Sequence, residues 1–281
     1  MHNPGNENLT ATFAPKKPFL KWAGGKYSLL NRVLPELPIR TRLLEPFTGS
    51  GAIFLNTNYQ KYWLNDLNQD LINLYQHLCA QEREFIAYAQ EWFTSKNNNA
   101  QRYYQLREKF NQATDSYEKS ALFIYLNRHC YNGLCRYNKK GRFNVPFGQY
   151  VKPYFPLTEM QSFAQKAKHV KFTHTCFTEI MQQAKLGDIV YCDPPYAPLS
   201  TTANFTQYHQ QPFTIDHQVE LAFWAQQLAL QGIPVIISNH DTPYTRKIYK
   251  GSRIVKFTAR RTISRNIENR KPAKELLAIY E

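Results

Sequence analysis

The stretch that most constrains this chain runs from Asp188-Ile189-Val190-Tyr191-Cys192 directly into Asp193-Pro194-Pro195-Tyr196. An apolar run led by a turn at Gly187 has the form of a strand buried on both faces, which belongs in a parallel sheet covered by helices. Two successive prolines cannot extend a hydrogen-bonded ladder, so the chain leaves the sheet there on a stiff course. In open α/β sheets ligands bind outside the carboxyl ends of the strands. The step therefore presents a carboxylate, backbone carbonyls and an aromatic ring where a ligand is expected. A proline-rich turn with no function is the plainer alternative.

The rest of the chain supplies partners for that strand. Leu43-Leu44 leads through Glu45-Pro46-Phe47-Thr48-Gly49-Ser50-Gly51 into Ala52-Ile53-Phe54-Leu55, which reads as strand, glycine turn and helix start. Tyr62-Trp63-Leu64, Val170 to Thr173, Pro234 to Ile237, Ile254 to Phe257 and Leu276 to Ile279 read as further strands. Val219 to Leu230 has the spacing of an amphipathic helix, with Gly232 as its stop. Between the two halves the grammar changes. Leu71, Leu74, Tyr75 and Leu78 fall at i, i+3, i+4 and i+7, as a helix requires. A second helix carries Tyr103, Leu106, Arg107 and Phe110, and a third holds Ala121 to Leu126. Tyr131 to Tyr150 then mixes Asn, Gly, aromatic and basic residues around Asn138-Lys139-Lys140-Gly141, and reads as a basic hairpin. The expected fold is α/β, a doubly wound, mostly parallel seven-stranded sheet with an inserted helical and hairpin region. Residues 1–15 form a mobile tail, 16–70 and 157–281 the sheet domain, and 71–156 the insertion.

Charge narrows the partner. Lys and Arg number 35 against 21 acids, a net charge of +14, and such an excess favours a polyanion through counterion release. Aromatic residues make up 15%, which suits bases as well as phosphates. A basic protein with no such partner is the alternative. No run approaches the roughly 18 apolar residues of a membrane span, and Met1 to Lys17 lacks a secretory apolar segment, so a cytoplasmic location is expected. The cysteines, Cys79, Cys130, Cys135, Cys176 and Cys192, are odd in number without a CxxC pair, which disfavours a disulfide framework. His129, Cys130 and Cys135 lack a fourth ligand at a metal-site spacing, and no metal is expected.

The glycine turn alone is a weak signal. Asp66 strengthens it, because it lies 15 residues beyond Gly51, after the next strand. A carboxylate there can accept hydrogen bonds from both ribose hydroxyls of an adenosine ligand; a helix N-cap is the plainer role. The Asp193 platform suits attack by a poor nitrogen nucleophile such as N6 of adenine, whose lone pair is delocalised into the ring. If Asp193 and the Pro194 carbonyl each accept a hydrogen bond from N6, the nitrogen is favoured in a more tetrahedral form, and Tyr196 can stack on the base. At an ordinary aspartate pKa near 3.9, Asp193 stabilises the positive charge that develops on N6 rather than deprotonating a neutral amine. Within a duplex, neighbouring bases cover N6, so the base must be turned out.

With these motifs in this order, the chain resembles the Dam family of DNA adenine-N6 methyltransferases, from about Phe19 to Tyr280. The most specific stretches are Phe19-Leu20-Lys21-Trp22-Ala23-Gly24-Gly25-Lys26, Tyr131-Asn132-Gly133-Leu134-Cys135-Arg136-Tyr137-Asn138, Asp193-Pro194-Pro195-Tyr196-Ala197-Pro198-Leu199 and Ser238-Asn239-His240-Asp241. The resemblance implies a class I S-adenosyl-L-methionine-dependent methyltransferase, with no metal, acting on double-stranded DNA within GATC, without a membrane or an obligate protein partner. It implies a prokaryotic or phage enzyme that works at the nucleoid, associated with DNA replication and mismatch repair.

By the same resemblance, Asp193, Pro194 and Tyr196 are catalytic. Trp22, Lys26, Phe47, Gly49, Gly51, Asp66 and Asp193 line the cofactor site, with Lys26 on the methionine carboxylate. Arg136 resembles a guanine reader, whose fork spans O6 and N7. Lys21 is similar to a reader of the first guanine, and Leu134 and Pro146 to contacts of a thymine methyl. Tyr131 and Asn132 resemble the wedge that enters the base stack, and Asn138 and Tyr150 complete the DNA face. Plainer roles are a solvated lysine for Lys26, a core tryptophan for Trp22, and phosphate contacts for Arg136 and Lys21. Two departures stand out: Gln149 replaces an expected Arg beside the hairpin, and the tail before Lys16 is longer than the family needs.

Four alternatives fit less well. Cytosine-N4 methyltransferases favour Ser before Pro-Pro-Tyr. An RNA target closes its major groove to the hairpin. A non-enzymatic DNA-binding module has no need of Asp193 and Tyr196. A nicotinamide oxidoreductase expects GxGxxG.

Overall fold

The computed structural model describes residues 14–196, 213–259 and 272–281. Most of the expected tail and the Ala197-Pro198-Leu199 part of the last proline motif lie outside them. Seven strands form one sheet: β1 (Arg42–Glu45), β2 (Lys61–Asn65), β3 (Val170–Thr173), β4 (Asp188–Cys192), β5 (Val235–His240), β6 (Arg253–Ala259) and β7 (Ala273–Tyr280). Their order is β3-β2-β1-β4-β5-β7-β6. The pairs among β1 to β5 are parallel, and β7 runs antiparallel to both β5 and β6. The expected doubly wound, mostly parallel sheet is present.

Alternation along the strands sends neighbouring residues to two cores, as a period of two requires. Leu43, Leu64, Ile189, Tyr191 and Ile236 enter one cluster. Leu44, Trp63, Val190, Cys192 and Ile237 enter the other. The second face is covered by α8 (Phe177–Gln182) and α9 (Ile215–Leu230), and α10 (Pro243–Ile248) packs on α9. The first face carries α1 (Leu30–Val33), α2 (Ala52–Leu55), the inserted helices α3 (Gln69–Ala80), α4 (Glu82–Gln90), α5 (Ala100–Gln112) and α6 (Ser116–His129), and then α7 (Leu157–Lys166), which follows the insertion. Leu71, Leu74, Phe85, Tyr103 and Phe123 of those helices share one cluster with Leu43 and Leu64 of the sheet. The insertion is thus seated on the sheet through a continuous core.

At the amino ends of β1 and β4, Arg42 Nε and Nη2 donate to the two carboxylate oxygens of Asp188 at 2.9 and 2.6 Å. The same two residues are paired in register, so this fork fixes how the central strands align. The order reverses between β1 and β4, with β2 and β3 on one side and β5 on the other. That switch point leaves a crevice at the carboxyl ends, where Glu45, Asp66, Asp193 and His240 end or follow their strands.

The expected hairpin is the one element with a different form. Tyr131 to Tyr150 carries only two isolated bridges, Cys130 with Phe147 and Tyr137 with Phe143, rather than a ladder. Side chains hold it instead. Tyr103 Oη and Arg107 Nη1 donate to the Val145 carbonyl at 2.9 and 3.0 Å, and Asn111 brackets Phe143 by accepting from its N–H and donating to its carbonyl. Buried Phe143 and Val145 pull the segment onto α5 and α6, and a flat ribbon cannot follow that surface. The expected turn is present, with Gly141 N–H donating to the Asn138 carbonyl at 2.9 Å.

Candidate active site

The crevice is built from two strand tips. Gly49 and Gly51 have φ of +47° and +70°, a region costly to side chains. A Cβ at Gly49 would stand 2.8 Å from Trp22 Nε1, and one at Gly51 would meet Phe163 at 3.2 Å. The turn therefore has no space for a side chain, because Trp22 and Phe163 pack directly against its backbone. Asp66 Oδ2 accepts the Gly49 N–H at 3.0 Å, while its Oδ1 accepts the Asn68 N–H at 2.9 Å. The N-cap of α3 is Asn68, whose side chain accepts from Leu71 N–H, so the plain capping role falls to Asn68. Tyr75 Oη donates to the Gly49 carbonyl at 2.5 Å and braces the turn from α3. Phe47 stacks on Phe177 and meets the edge of Phe213, each at 5.5 Å, forming an apolar wall.

The second tip carries the acid. Lys26 Nζ lies 2.7 Å from Asp193 Oδ1 and also donates to the Gly24 carbonyl at 2.7 Å. Ser238 Oγ, on β5, donates to the same Oδ1 at 3.0 Å. Asp193 is not an ordinary aspartate: burial pushes its pKa up, against the pull of Lys26 and Ser238. The expected value near 3.9 is thereby corrected, because the strand tip sits deeper than a surface turn. Tyr196 Oη donates to Glu275 Oε2 at 3.0 Å, and its ring meets His240 edge-on at 4.7 Å with Lys26 Nζ 4.7 Å from its centroid. Burial, with the charges of Asp193 and Glu275, holds this phenol well above its usual pKa, so it stays neutral. Gln218 Nε2 donates to the Pro195 carbonyl at 2.8 Å, and Gln218 is itself held by Asn239 and Tyr249. The Pro-Pro step thus rests on a buried polar network.

Ser238 and Glu45 are among the members of this site that were not assigned roles from sequence. Ser238 lay inside a quoted motif, but its contact with Asp193 joins residues 45 positions apart. Glu45, at the tip of β1, is buried, and its Oε1 has no hydrogen-bond partner among the described residues. Burial, aided by the charge of Asp193 and opposed by the Phe54 backbone, lifts its pKa to about 8. Lys26 was expected on a cofactor carboxylate and is found on Asp193.

The basic loop lies beside this crevice. Asn127 of α6 accepts from Lys21 N–H and donates to the Lys21 carbonyl, at 2.9 and 2.8 Å. Lys21 Nζ sits 4.1 Å over the Tyr150 ring, and burial, then Arg128, lowers its pKa. Arg128 donates to the Phe19 carbonyl. Asn132 is exposed at φ +54° in a short turn spanning Tyr131–Gly133, a conformation asparagine tolerates. Tyr131 N–H donates to the carbonyl of exposed Pro146 at 2.8 Å, and Leu134 N–H to the Tyr131 carbonyl at 3.2 Å. Arg136 is exposed, with Nε on Asn144 Oδ1 at 2.8 Å and Nη2 on the Asn144 carbonyl at 3.2 Å. Asn138 Oδ1 accepts from Lys140 and Arg142 backbone N–H groups, a role in the turn itself. Gln149 is exposed at φ +55°.

Residues 22–263 match the family model of the D12 class N6 adenine-specific DNA methyltransferases. The chain is 51% identical to a DNA adenine methylase of Serratia marcescens over 93% of its own length and 97% of the relative's. It is 49% identical to the DNA adenine methylases of Vibrio cholerae and Escherichia coli K12, over 94% of this chain and 96% and 95% of theirs. An overlay on the rRNA methyltransferase aviRa of Streptomyces viridochromogenes covers 95% of this chain and 88% of that one, at a TM-score of 0.38 and 11% identity, and carries no weight. On the family match and these near-full-length relatives, the chain belongs to the D12 class of N6 adenine-specific DNA methyltransferases.

Proposed function

We propose that this protein transfers a methyl group from S-adenosyl-L-methionine to N6 of an adenine turned out of duplex DNA, within GATC. The observation that carries this reading is the cluster of Lys26, Asp193 and Ser238 beside Tyr196, at a strand tip next to the Gly49 turn and Asp66. We also propose that it works on the chromosome in the cytoplasm, a reading supported by its similarity to bacterial DNA adenine methylases. We assign cofactor binding to Trp22, Lys26, Phe47, Gly49, Gly51, Asp66 and Asp193, and the DNA face to Lys21, Tyr131, Asn132, Leu134, Arg136, Asn138, Pro146 and Tyr150. The insertion, residues 71–156, is the recognition region.

The donor set fits the cofactor. The glycine turn presents bare backbone beside Trp22, Asp66 suits ribose hydroxyls, and an ammonium has three donors, of which Lys26 commits two to Gly24 and Asp193. The third suits a methionine carboxylate. When bound, the cofactor supplies an electrophilic methyl group on its sulfonium. Because Lys26 and Ser238 both engage Asp193 Oδ1, we assign Oδ2 to the N6 hydrogen bond, with the Pro194 carbonyl taking the second. Tyr196, fixed by Glu275 and His240, stacks on the base and keeps N6 in line. Positive charge grows on N6 as the carbon bond forms, and the carboxylate opposes it. Its raised pKa makes Asp193 Oδ2 a better acceptor for the proton that N6 then sheds.

Asp193→Ala tests this. The variant should bind duplex DNA normally and lose methyl transfer; turnover at the parental rate would remove the assignment of Asp193.

A further inference from the structure

Arg136 stands exposed between two buried residues, Cys135 and Tyr137. Both neighbours are tied to the stretch that leads from β2 into the first turn of α3. Tyr137 Oη donates to Asp70 Oδ2 at 2.8 Å, and Asn68 Nδ2 donates to Cys135 Sγ at 3.5 Å. Asp70 Oδ1 is paired with Lys119 Nζ of α6 at 2.8 Å. The same stretch carries Asp66, which holds the Gly49 N–H, and α3 carries Tyr75, which holds the Gly49 carbonyl. One rigid piece therefore grips the glycine turn at one end and both flanks of Arg136 at the other. Tyr103, Arg107 and Asn111 hold the far limb of the loop through Val145 and Phe143, whereas the bonds from Asp70 and Asn68 tie the limb that carries Arg136.

We propose that Asp70 and Tyr137 are positioning residues for base-pair discrimination: their hydrogen bond sets the height of Arg136 relative to the crevice, and neither touches DNA. This rests on the reading of Arg136 as a base reader. Bidentate recognition needs both N–H groups in line with their acceptors, and hydrogen bonds weaken steeply when misaligned. A loop free to shift at Tyr137 keeps its charge near the duplex but loses that alignment. Affinity for phosphates then survives while discrimination falls.

Tyr137→Phe is a clean perturbation. It retains the ring against Phe143, 5.8 Å away and edge-on, and leaves Asp70 paired with Lys119. The assay is kcat/KM for the parent, Tyr137→Phe and Arg136→Ala on a GATC duplex and on duplexes with each base pair changed singly, alongside thermal melting. Arg136→Ala should relax choice at one base pair. Tyr137→Phe should relax the same pair by about tenfold, leave the other pairs within about twofold, and shift melting little. Asp70→Ala, which removes the same acceptor, should give the same profile and serves if Tyr137→Phe does not fold. If Arg136→Ala relaxes one pair and the other variants do not, the positioning role is overturned and the reader stands. Equal losses at every pair, or a fall in kcat without loss of discrimination, also overturn it. If Arg136→Ala relaxes none, the reader assignment fails and takes the positioning role with it.

Discussion

Glu45→Gln should make the protein resist alkali better than its parent. Glu45 ends β1, 2% exposed, with one carboxyl oxygen unpartnered among the described residues. Burial first, and then the Asp193 charge, raise its pKa from an ordinary 4.5 to about 8. The sign follows from linkage: the folded state holds this proton more tightly than the unfolded chain, so the associated stability is complete below about pH 4.5 and is lost as pH climbs to about 8. At about 1.36 kcal/mol per pK unit, that gap sets a ceiling of about 5 kcal/mol. Water drawn toward the ionising carboxylate reduces the cost, so we expect a loss of about 2–3 kcal/mol. Glutamine keeps the shape and cannot ionise. Urea unfolding of parent and variant at a series of pH values from about 5 to 9 should give curves that diverge steadily in the variant's favour above the ordinary carboxylate range. Parallel curves would refute the claim that Glu45 is a buried neutral acid.

Three further outcomes are expected. Ser238→Ala removes a hydrogen bond that holds the Asp193 pKa down, so the acidic limb of kcat/KM against pH should move upward with the alkaline plateau little changed; an unmoved limb would detach Ser238 from the proposed role of Asp193. Gly49→Ala puts a Cβ 2.8 Å from Trp22 Nε1 at a φ of +47°, so melting should register a cost of about 1–3 kcal/mol and cofactor affinity, by calorimetry, should fall about tenfold or more; parental affinity would move the cofactor away from this turn. DNA affinity should weaken with salt at a log-log slope near −0.9 per phosphate neutralised, and a flat response would deny the net charge of +14 its part in binding.

Elements that bury apolar residues at a regular period were legible from the sequence. The run Ile189 to Cys192 and the alternation of Leu43 with Leu44 lead to strands, because each residue falls into one of the two cores. α1, α8 and α10, of four to six residues, are too short for a periodic signal and went unread. The hairpin was misjudged in form because Phe143 and Val145 serve a tertiary surface, and composition cannot distinguish that from a ribbon. In the site, Asp193, Tyr196 and the glycine turn were visible as local motifs. The grip of Lys26 on Asp193 was not, since the partners lie 167 positions apart and only the reversal of strand order between β1 and β4 brings them together. The raised pKa values of Glu45 and Asp193 arise from burial, which no spacing in the chain encodes.

The most direct test is transfer of a labelled methyl group from S-adenosyl-L-methionine to a duplex bearing a single GATC, with digestion to identify the modified nucleoside, against duplexes altered at each base in turn. Label recovered as N6-methyladenine from the GATC duplex, and nearly none from the altered ones, is the predicted result. Label on cytosine, or equal incorporation into every duplex, would contradict the account.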